Sequence, residues 1–180
     1  ALRLLRALDL RPRRTVRAVL FMNEENGLRG GEAYARDHQA ELPRHVAAIE
    51  SDTGAARPIG FYLDAGEGAR ARFLELIEPL RPLGAAAVLG KDGTGADIST
   101  LGPAGVPLLG LRQDMTRYFD WHHTEADTLD KVDPQELAWN TVALAYAAWA
   151  LAEEEVPLPR PKRVPPLLGG ASRRPASGER

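Results

Sequence analysis

Short apolar runs that alternate with helical segments constrain the fold of this chain more than any other feature. The runs lie at residues 15–22, 45–50, 59–63 and 106–111, and their length and composition predict β-strands. The segments between several of these runs have the spacing of amphipathic helices. Strands that alternate with helices predict an α/β fold whose sheet is covered on its faces.

The clearest helix signal is the sequence DPQE at residues 133–136. An Asp can cap the helix, Pro suits the first helical position, and Glu three residues after the cap completes a capping box. The helix is predicted to run to about residue 154. Its apolar stretch is interrupted by Asn140 and Thr141 and is shorter than the ~20 residues that a membrane span needs. A buried helix is therefore expected, and no membrane span.

Composition removes several classes of function. Lys and Arg number 23 against 25 Asp and Glu, so the formal net charge of −2 gives no basic footprint for nucleic acid. Cysteine is absent. Disulfides and thiolate zinc sites are thereby excluded, and any metal has to use His, Asp or Glu.

The last part of the chain differs from the rest. Residues 156–180 are rich in Pro and Arg, a composition that cannot bury a core, and we expect a disordered tail there. A folded domain is expected over residues 1–155. Position 1 is not Met and no signal-like segment follows it, so we expect the chain to begin inside a domain.

Polar clusters stand at the ends of two predicted strands and in one loop. They occupy residues 23–27, 50–52 and 121–128. Ligands of open α/β sheets bind at the carboxyl ends of strands, so these clusters are expected to face one crevice. Carboxylates and imidazoles without thiolates suit a catalytic zinc site with a carboxylate base. Taken singly, each cluster also fits a structural role, and the residue types alone leave both interpretations open.

The order of these motifs resembles the dizinc exopeptidases, a family that includes bacterial aminopeptidases and carboxypeptidase Q. The resemblance extends from about residue 14 to residue 154, and the loop at 118–134 is most similar to the carboxypeptidase Q branch. The motifs that carry it are NEENGLRGG at 23–31, ESD at 50–52, GADI at 95–98 with GVP at 105–107, and HHTEADT at 122–128 followed by DKVDP at 130–134.

The resemblance implies a role for each matching residue. Glu24 would be the general base, Glu25 would bind one zinc ion and Asp52 the other. His123, four residues before the aspartate of the last motif, would be a further zinc ligand, and His122 would not. Two residues would support the site without binding metal: Asp97 and Asp127. The fold implied is a mixed, mostly parallel sheet with helices on both faces.

One departure from the family pattern is large. The family also uses an H-x-D motif and a bridging aspartate upstream of the glutamate pair, and neither occurs in the 23 residues before Glu24. The chain therefore resembles the C-terminal part of a peptidase domain, incomplete at its N-terminus. Glu25, Asp52 and His123 would be only part of the ligand set for two zinc ions.

The function expected from the resemblance is zinc-dependent hydrolysis of a terminal bond in a peptide or dipeptide. Zinc would lower the pKa of a bound water and polarise the scissile carbonyl, while Glu24 carries the proton to the leaving amine. Two alternatives stay open: a non-catalytic, receptor-like interaction domain and a glutaminyl-cyclase-like transferase. Aminopeptidase and carboxypeptidase or dipeptidase action are not distinguished. A homodimer is compatible with the resemblance, which favours a secreted or periplasmic location over a cytoplasmic one.

Overall fold

The computed structural model describes residues 1–162 and contains a small sheet flanked by helices. Four α-helices and three strands follow the chain in this order: α1 (Leu2–Ala7), α2 (Arg29–Asp37), β1 (Ala48–Glu50), β2 (Pro58–Asp64), α3 (Ala69–Leu76), β3 (Leu108–Gln113) and α4 (Pro134–Glu153). Short 3₁₀ turns lie between them: Leu42–Arg44, Glu78–Leu83, Ile98–Ala104, Tyr118–Asp120 and Leu129–Lys131.

The sheet has the strand order β1-β3-β2 and is mixed. β1 runs parallel to β3, with Ile49 opposite Leu109. β2 runs antiparallel to β3, with Tyr62 opposite Gly110. The predicted α/β class with a mixed sheet is confirmed, and one of the two strand pairs in the described residues is parallel rather than most of them.

Alternate residues of β3 enter two separate apolar clusters, as the two-residue period of a strand requires. Leu109 and Leu111 pack with Phe73 of α3 and with the alanines of α4. Leu108 packs on the other side with Ile98, beneath α2. Helices therefore cover both faces of the sheet, as predicted.

α4 begins where the sequence predicts it. The Asp133 side chain accepts hydrogen bonds from the backbone N–H groups of Gln135 and Glu136, at 2.8 and 2.9 Å. These bonds satisfy two of the donors that a helix start leaves unpaired. Across residues 1–162, α4 and the other helices fall short of the length and apolar character that crossing a bilayer requires.

The predicted buried strand at residues 15–22 is wrong. This segment has no regular secondary structure, and it forms no ladder with any other part of residues 1–162. Leu20 and Met22 are 91% and 75% exposed. Aliphatic residues set a local preference for extended backbone, whereas a strand also needs a neighbour to pair with. The described part of the chain does not place one there.

Residues 156–162, which the sequence assigns to the tail, pack on the domain. Leu158 is buried at 4% exposure. The Arg160 guanidinium donates to the carbonyl oxygens of Leu42, Pro43, His45 and Ala104, at 2.9 to 3.2 Å. The rest of the predicted tail, residues 163–180, lies outside the described residues.

Arg160→Ala is expected to lower the free energy of unfolding by about 1.5–3 kcal/mol, because four carbonyls lose a charged donor. Arg160→Lys is expected to restore only part of this loss, since an ammonium cannot reproduce the planar fork of guanidinium. Urea unfolding measures both effects. Arg70→Ala, at an exposed position of α3, is the control and should change stability by less than ~0.5 kcal/mol. An unchanged Arg160→Ala midpoint would show that the contacts are not stabilising.

Candidate active site

Glu25 and His123 meet although they are almost a hundred residues apart. The Nε2 atom of His123 lies 2.8 Å from Oε1 of Glu25. Glu25 follows the irregular segment at 15–22, and His123 stands in the loop between β3 and α4. Both side chains are exposed, so their ion pair contributes little stability. The contact is informative for its position, because it shows that the first polar cluster, at 23–27, lies next to the third, at 121–128.

Asp52 brings the second cluster to the same place. Burial raises the pKa of Glu24, and the negative charges of Glu25, Asp52 and Asp97 raise it further, against a smaller opposing effect of His123. Burial also raises the pKa of Asp97, with Asp52 again adding to the effect. A like charge has to lie close to do this. Glu24, Asp52 and Asp97 are therefore near enough for their charges to act on one another.

Asp97 carries an unsatisfied polar atom. Its Oδ1 is buried and has no hydrogen-bond partner within the described chain. Gly31 of α2 fits against its backbone, where an added Cβ would stand 2.5 Å from the Asp97 carbonyl oxygen. This close packing places α2, and with it the glutamate pair, beside the 95–98 segment. An unpaired carboxylate oxygen next to other carboxylates is a position that favours a cation.

Glu50 belongs to the site and was missed as a site residue by the sequence analysis. Its carboxylate accepts hydrogen bonds from the backbone N–H groups of Ala96 and Ile98, at 3.0 and 2.9 Å. Gly95 permits this approach: its φ is +123°, and a Cβ there would overlap the Glu50 carboxylate. Burial raises the pKa of Glu50, and the charges of Asp52 and Asp97 add to that, while its N–H partners lower it.

The role of Glu50 follows from these bonds. It ties the 95–98 segment, and therefore Asp97, to the carboxyl end of β1. The available signal was its position as the last residue of the predicted strand, two residues before Asp52. A carboxylate at the end of a buried strand needs donors, and an adjoining Gly-containing loop can supply backbone N–H groups.

The imidazole rings of His122 and His123 do not point apart. Adjacent side chains of an extended loop point to opposite sides, but here the two imidazole rings stack with centroids 3.8 Å apart. His123 has a φ of +58°, so the chain turns at this residue. The other side of His122 stacks on Tyr118, with centroids 4.4 Å apart. His122 therefore fills the space between Tyr118 and His123.

Asp127 lies in the same loop and is exposed. Burial raises the pKa of Tyr118, and the charges of Asp52, Asp127 and Glu25 raise it further. Asp127 is thus close enough to affect the edge of the site electrostatically. The described residues show no hydrogen bond or ion pair between Asp127 and a proposed zinc ligand.

The side chains of the candidate site carry the kinds of donor atom that zinc binds, but too few of them lie together to hold an ion. Carboxylate and imidazole groups with the free oxygen of Asp97 are suitable zinc donors. Within residues 1–162, however, no three such groups stand close enough together to hold an ion. A cleft of about 290 Å³ adjoins Asp52 and is lined also by Glu50, Thr53 and Tyr62.

Comparison with known proteins gives consistent matches. The sequence model of Peptidase family M28 matches residues 1–148. Carboxypeptidase Q of Rattus norvegicus and of Homo sapiens are each 36% identical to the chain over 160 residues, covering 89% of this chain and 34% of the relative. A Peptidase M28 precursor of Shewanella amazonensis SB2B has a crystal structure with a TM-score of 0.79 and 41% identity, covering 85% of this chain and 35% of that one. The chain thus spans about a third of the length of these relatives.

Proposed function

Because the chain belongs to peptidase family M28, we propose that it is part of a zinc-dependent exopeptidase that hydrolyses terminal peptide bonds. The family membership confirms the resemblance to dizinc exopeptidases seen in the sequence. It supports a peptidase acting on peptide substrates. Zinc dependence, the exopeptidase mode and the role of each residue are the proposal.

The observation that carries the proposal is the convergence of three separate sequence motifs. Glu25 contacts His123, and the pKa of Glu24 responds to the charge of Asp52. A solvated glutamate pair, an ordinary turn and a structural histidine pair have no reason to lie near one another. Side chains that supply the base and the metal ligands of one active site have to lie together.

Glu24 is proposed as the general base. A base works best when its pKa lies near the working pH, and burial together with three neighbouring carboxylates moves the pKa of Glu24 upward in that direction. Its carboxylate would accept the proton of the attacking water and then donate it to the leaving amine. Asp97 and Asp127 would support the site through the charges they add at its edge.

Glu25, Asp52 and His123 are the residues proposed to hold zinc. Zinc supplies Lewis acidity at a scissile carbonyl when it is bound. Since these side chains do not complete a site within residues 1–162, we propose that the remaining ligands for two ions come from other parts of a longer protein. The coverage of one third of the relatives agrees with such a division.

Substrate tests on the full-length protein decide the reaction class. The relatives bear the name carboxypeptidase Q, so we expect an unblocked dipeptide to be cleaved and a C-terminally amidated dipeptide to be cleaved more slowly. An N-acetylated dipeptide tests for aminopeptidase action in parallel. Conversion of an N-terminal glutaminyl peptide without dipeptide cleavage would favour the transferase alternative. No turnover of any substrate by zinc-loaded protein would favour a non-catalytic domain.

The 180-residue chain by itself is expected to bind zinc weakly and to show little or no peptidase activity. A site that lacks ligands loses both affinity and geometry. Calorimetric zinc titration and a dipeptide assay measure the two properties. Two tightly bound zinc ions with robust turnover would show that residues 1–180 contain a complete site.

A further inference from the structure

Two amide side chains are buried in the core between β3 and α4. Gln113 ends β3 with 0% exposure, and Asn140 lies on α4 with 5% exposure. The Nε2 group of Gln113 donates to Oδ1 of Asn140 at 3.1 Å. Burial of such groups costs free energy unless every donor and acceptor finds a partner. Aliphatic residues would fill the same space without that requirement, so the partners of these amides are informative.

Gln113 binds the residues on both sides of Asp52. The hydroxyl of Thr53 donates to Oε1 of Gln113 at 2.5 Å. The Nε2 group of Gln113 also donates to the hydroxyl oxygen of Ser51 at 3.2 Å. One buried side chain therefore fixes both neighbours of a proposed zinc ligand.

Asn140 binds the next part of the same loop. Its Nδ2 group donates to the carbonyl oxygens of Ala55 and Ala56, at 3.2 and 2.7 Å. It also donates to the carbonyl of Glu136, one turn earlier in α4, at 2.8 Å. Residues 51–57 form neither helix nor strand. The side-chain bonds of Gln113 and Asn140 attach residues 51–56 to the domain, and a backbone bond from the N–H of Asp114 to the carbonyl of Arg57, at 2.8 Å, follows at the end of the loop.

We propose that Gln113 and Asn140 are positioning residues that hold the 51–56 loop, and with it Asp52, at the cleft that Glu50 also lines. The role of Asp52 as a zinc ligand rests on the proposed function. The positioning of the loop rests on the hydrogen bonds alone. The two statements can therefore be tested by separate measurements.

Asn140→Leu in the full-length protein is the first variant, since it keeps the branched skeleton of the side chain, at a larger volume, and removes the amide. Hydrogen–deuterium exchange of peptides covering 51–56 is expected to rise at least tenfold, while exchange in β2 and in the C-terminal half of α4 stays within a factor of about three. Zinc affinity, titrated with the metal alone, is expected to fall by about 10–100-fold. Thr141→Ala is the matched control, because Thr141 lies next in α4, is only partly buried and bonds only within the helix in the structure.

A milder pair keeps the proposal testable if Asn140→Leu does not fold. Thr53→Val removes the hydroxyl that donates to Gln113 and should also speed hydrogen–deuterium exchange in the loop. Thr53→Ser keeps the hydroxyl, so its loop exchange should stay near that of the unsubstituted protein. Unchanged loop exchange in folded variants, or an equal rise across β2, β3 and α4, overturns the positioning role. Faster loop exchange with unchanged zinc affinity supports positioning and contradicts Asp52 as a ligand, so the two failures are distinguishable.

Discussion

Glu24→Gln in the full-length protein is expected to lower kcat by about 10²–10⁴-fold and to leave the zinc content unchanged. The substitution keeps the shape of the side chain and removes its ability to accept a proton. It also removes a carboxyl group whose pKa is raised by burial and by the charges of Glu25, Asp52 and Asp97. Steady-state kinetics and metal analysis on the same preparation give both quantities.

Glu25→Gln is the matched comparison, one residue further along the same segment. It is expected to weaken zinc binding, because an amide oxygen is a poorer zinc ligand than a carboxylate, and to break the ion pair with His123. If Glu24→Gln strips the metal and Glu25→Gln keeps it, the two roles are reversed. If neither substitution changes kcat or metal content, the glutamate pair is not part of an active site.

The same carboxyl groups also affect how the free energy of unfolding depends on pH, and the direction of this effect follows from the direction of their pKa shifts. The folded-state pKa values of Glu24, Glu50 and Asp97 are raised above their ordinary values. The folded state therefore holds these protons more tightly than the unfolded state, and the contribution of these three groups to the stability of the metal-free protein falls as pH rises from the ordinary carboxyl pKa through the raised one. Bound cations would offset this loss, since they neutralise the same charges.

The pattern of neighbouring residues along the chain predicts much of the fold. The runs at 59–63 and 106–111 became β2 and β3, and the DPQE sequence placed the start of α4. These elements are specified by residues that lie next to one another in the chain. The polar clusters were also predicted to meet from their positions at strand ends, and the contact of Glu25 with His123 agrees with that expectation.

The remaining features depend on partners that sequence spacing does not specify. The segment at 15–22 has the composition of a strand but lacks a neighbour within residues 1–162. The stacking of His122 on His123 depends on one backbone angle, the φ of +58° at His123. Gln113 and Asn140 stand within or beside apolar stretches, where their sequence positions do not indicate that they bond to the loop around Asp52.

His123→Ala in the full-length protein is expected to lower the zinc content and to abolish peptidase activity, whereas His122→Ala should keep zinc and change activity less. His123 is the histidine that contacts Glu25, the other proposed ligand from a distant motif. His122 lies between Tyr118 and His123, so its ring supports the orientation of the neighbouring imidazole. The support comes from the flat ring of His122 and not from its nitrogen atoms, so His122→Phe should preserve it.

The comparison of these three variants separates metal binding from packing. Zinc content measured after dialysis reports the ligand, and turnover with excess zinc reports the orientation of the site. His122→Ala with reduced turnover, full zinc content and recovery in His122→Phe would assign a packing role to His122. Full zinc content in His123→Ala would show that His123 is not a ligand. Because the two rings stack in one turn instead of pointing apart, loss of zinc in both alanine variants is the result that would make His122 a second ligand.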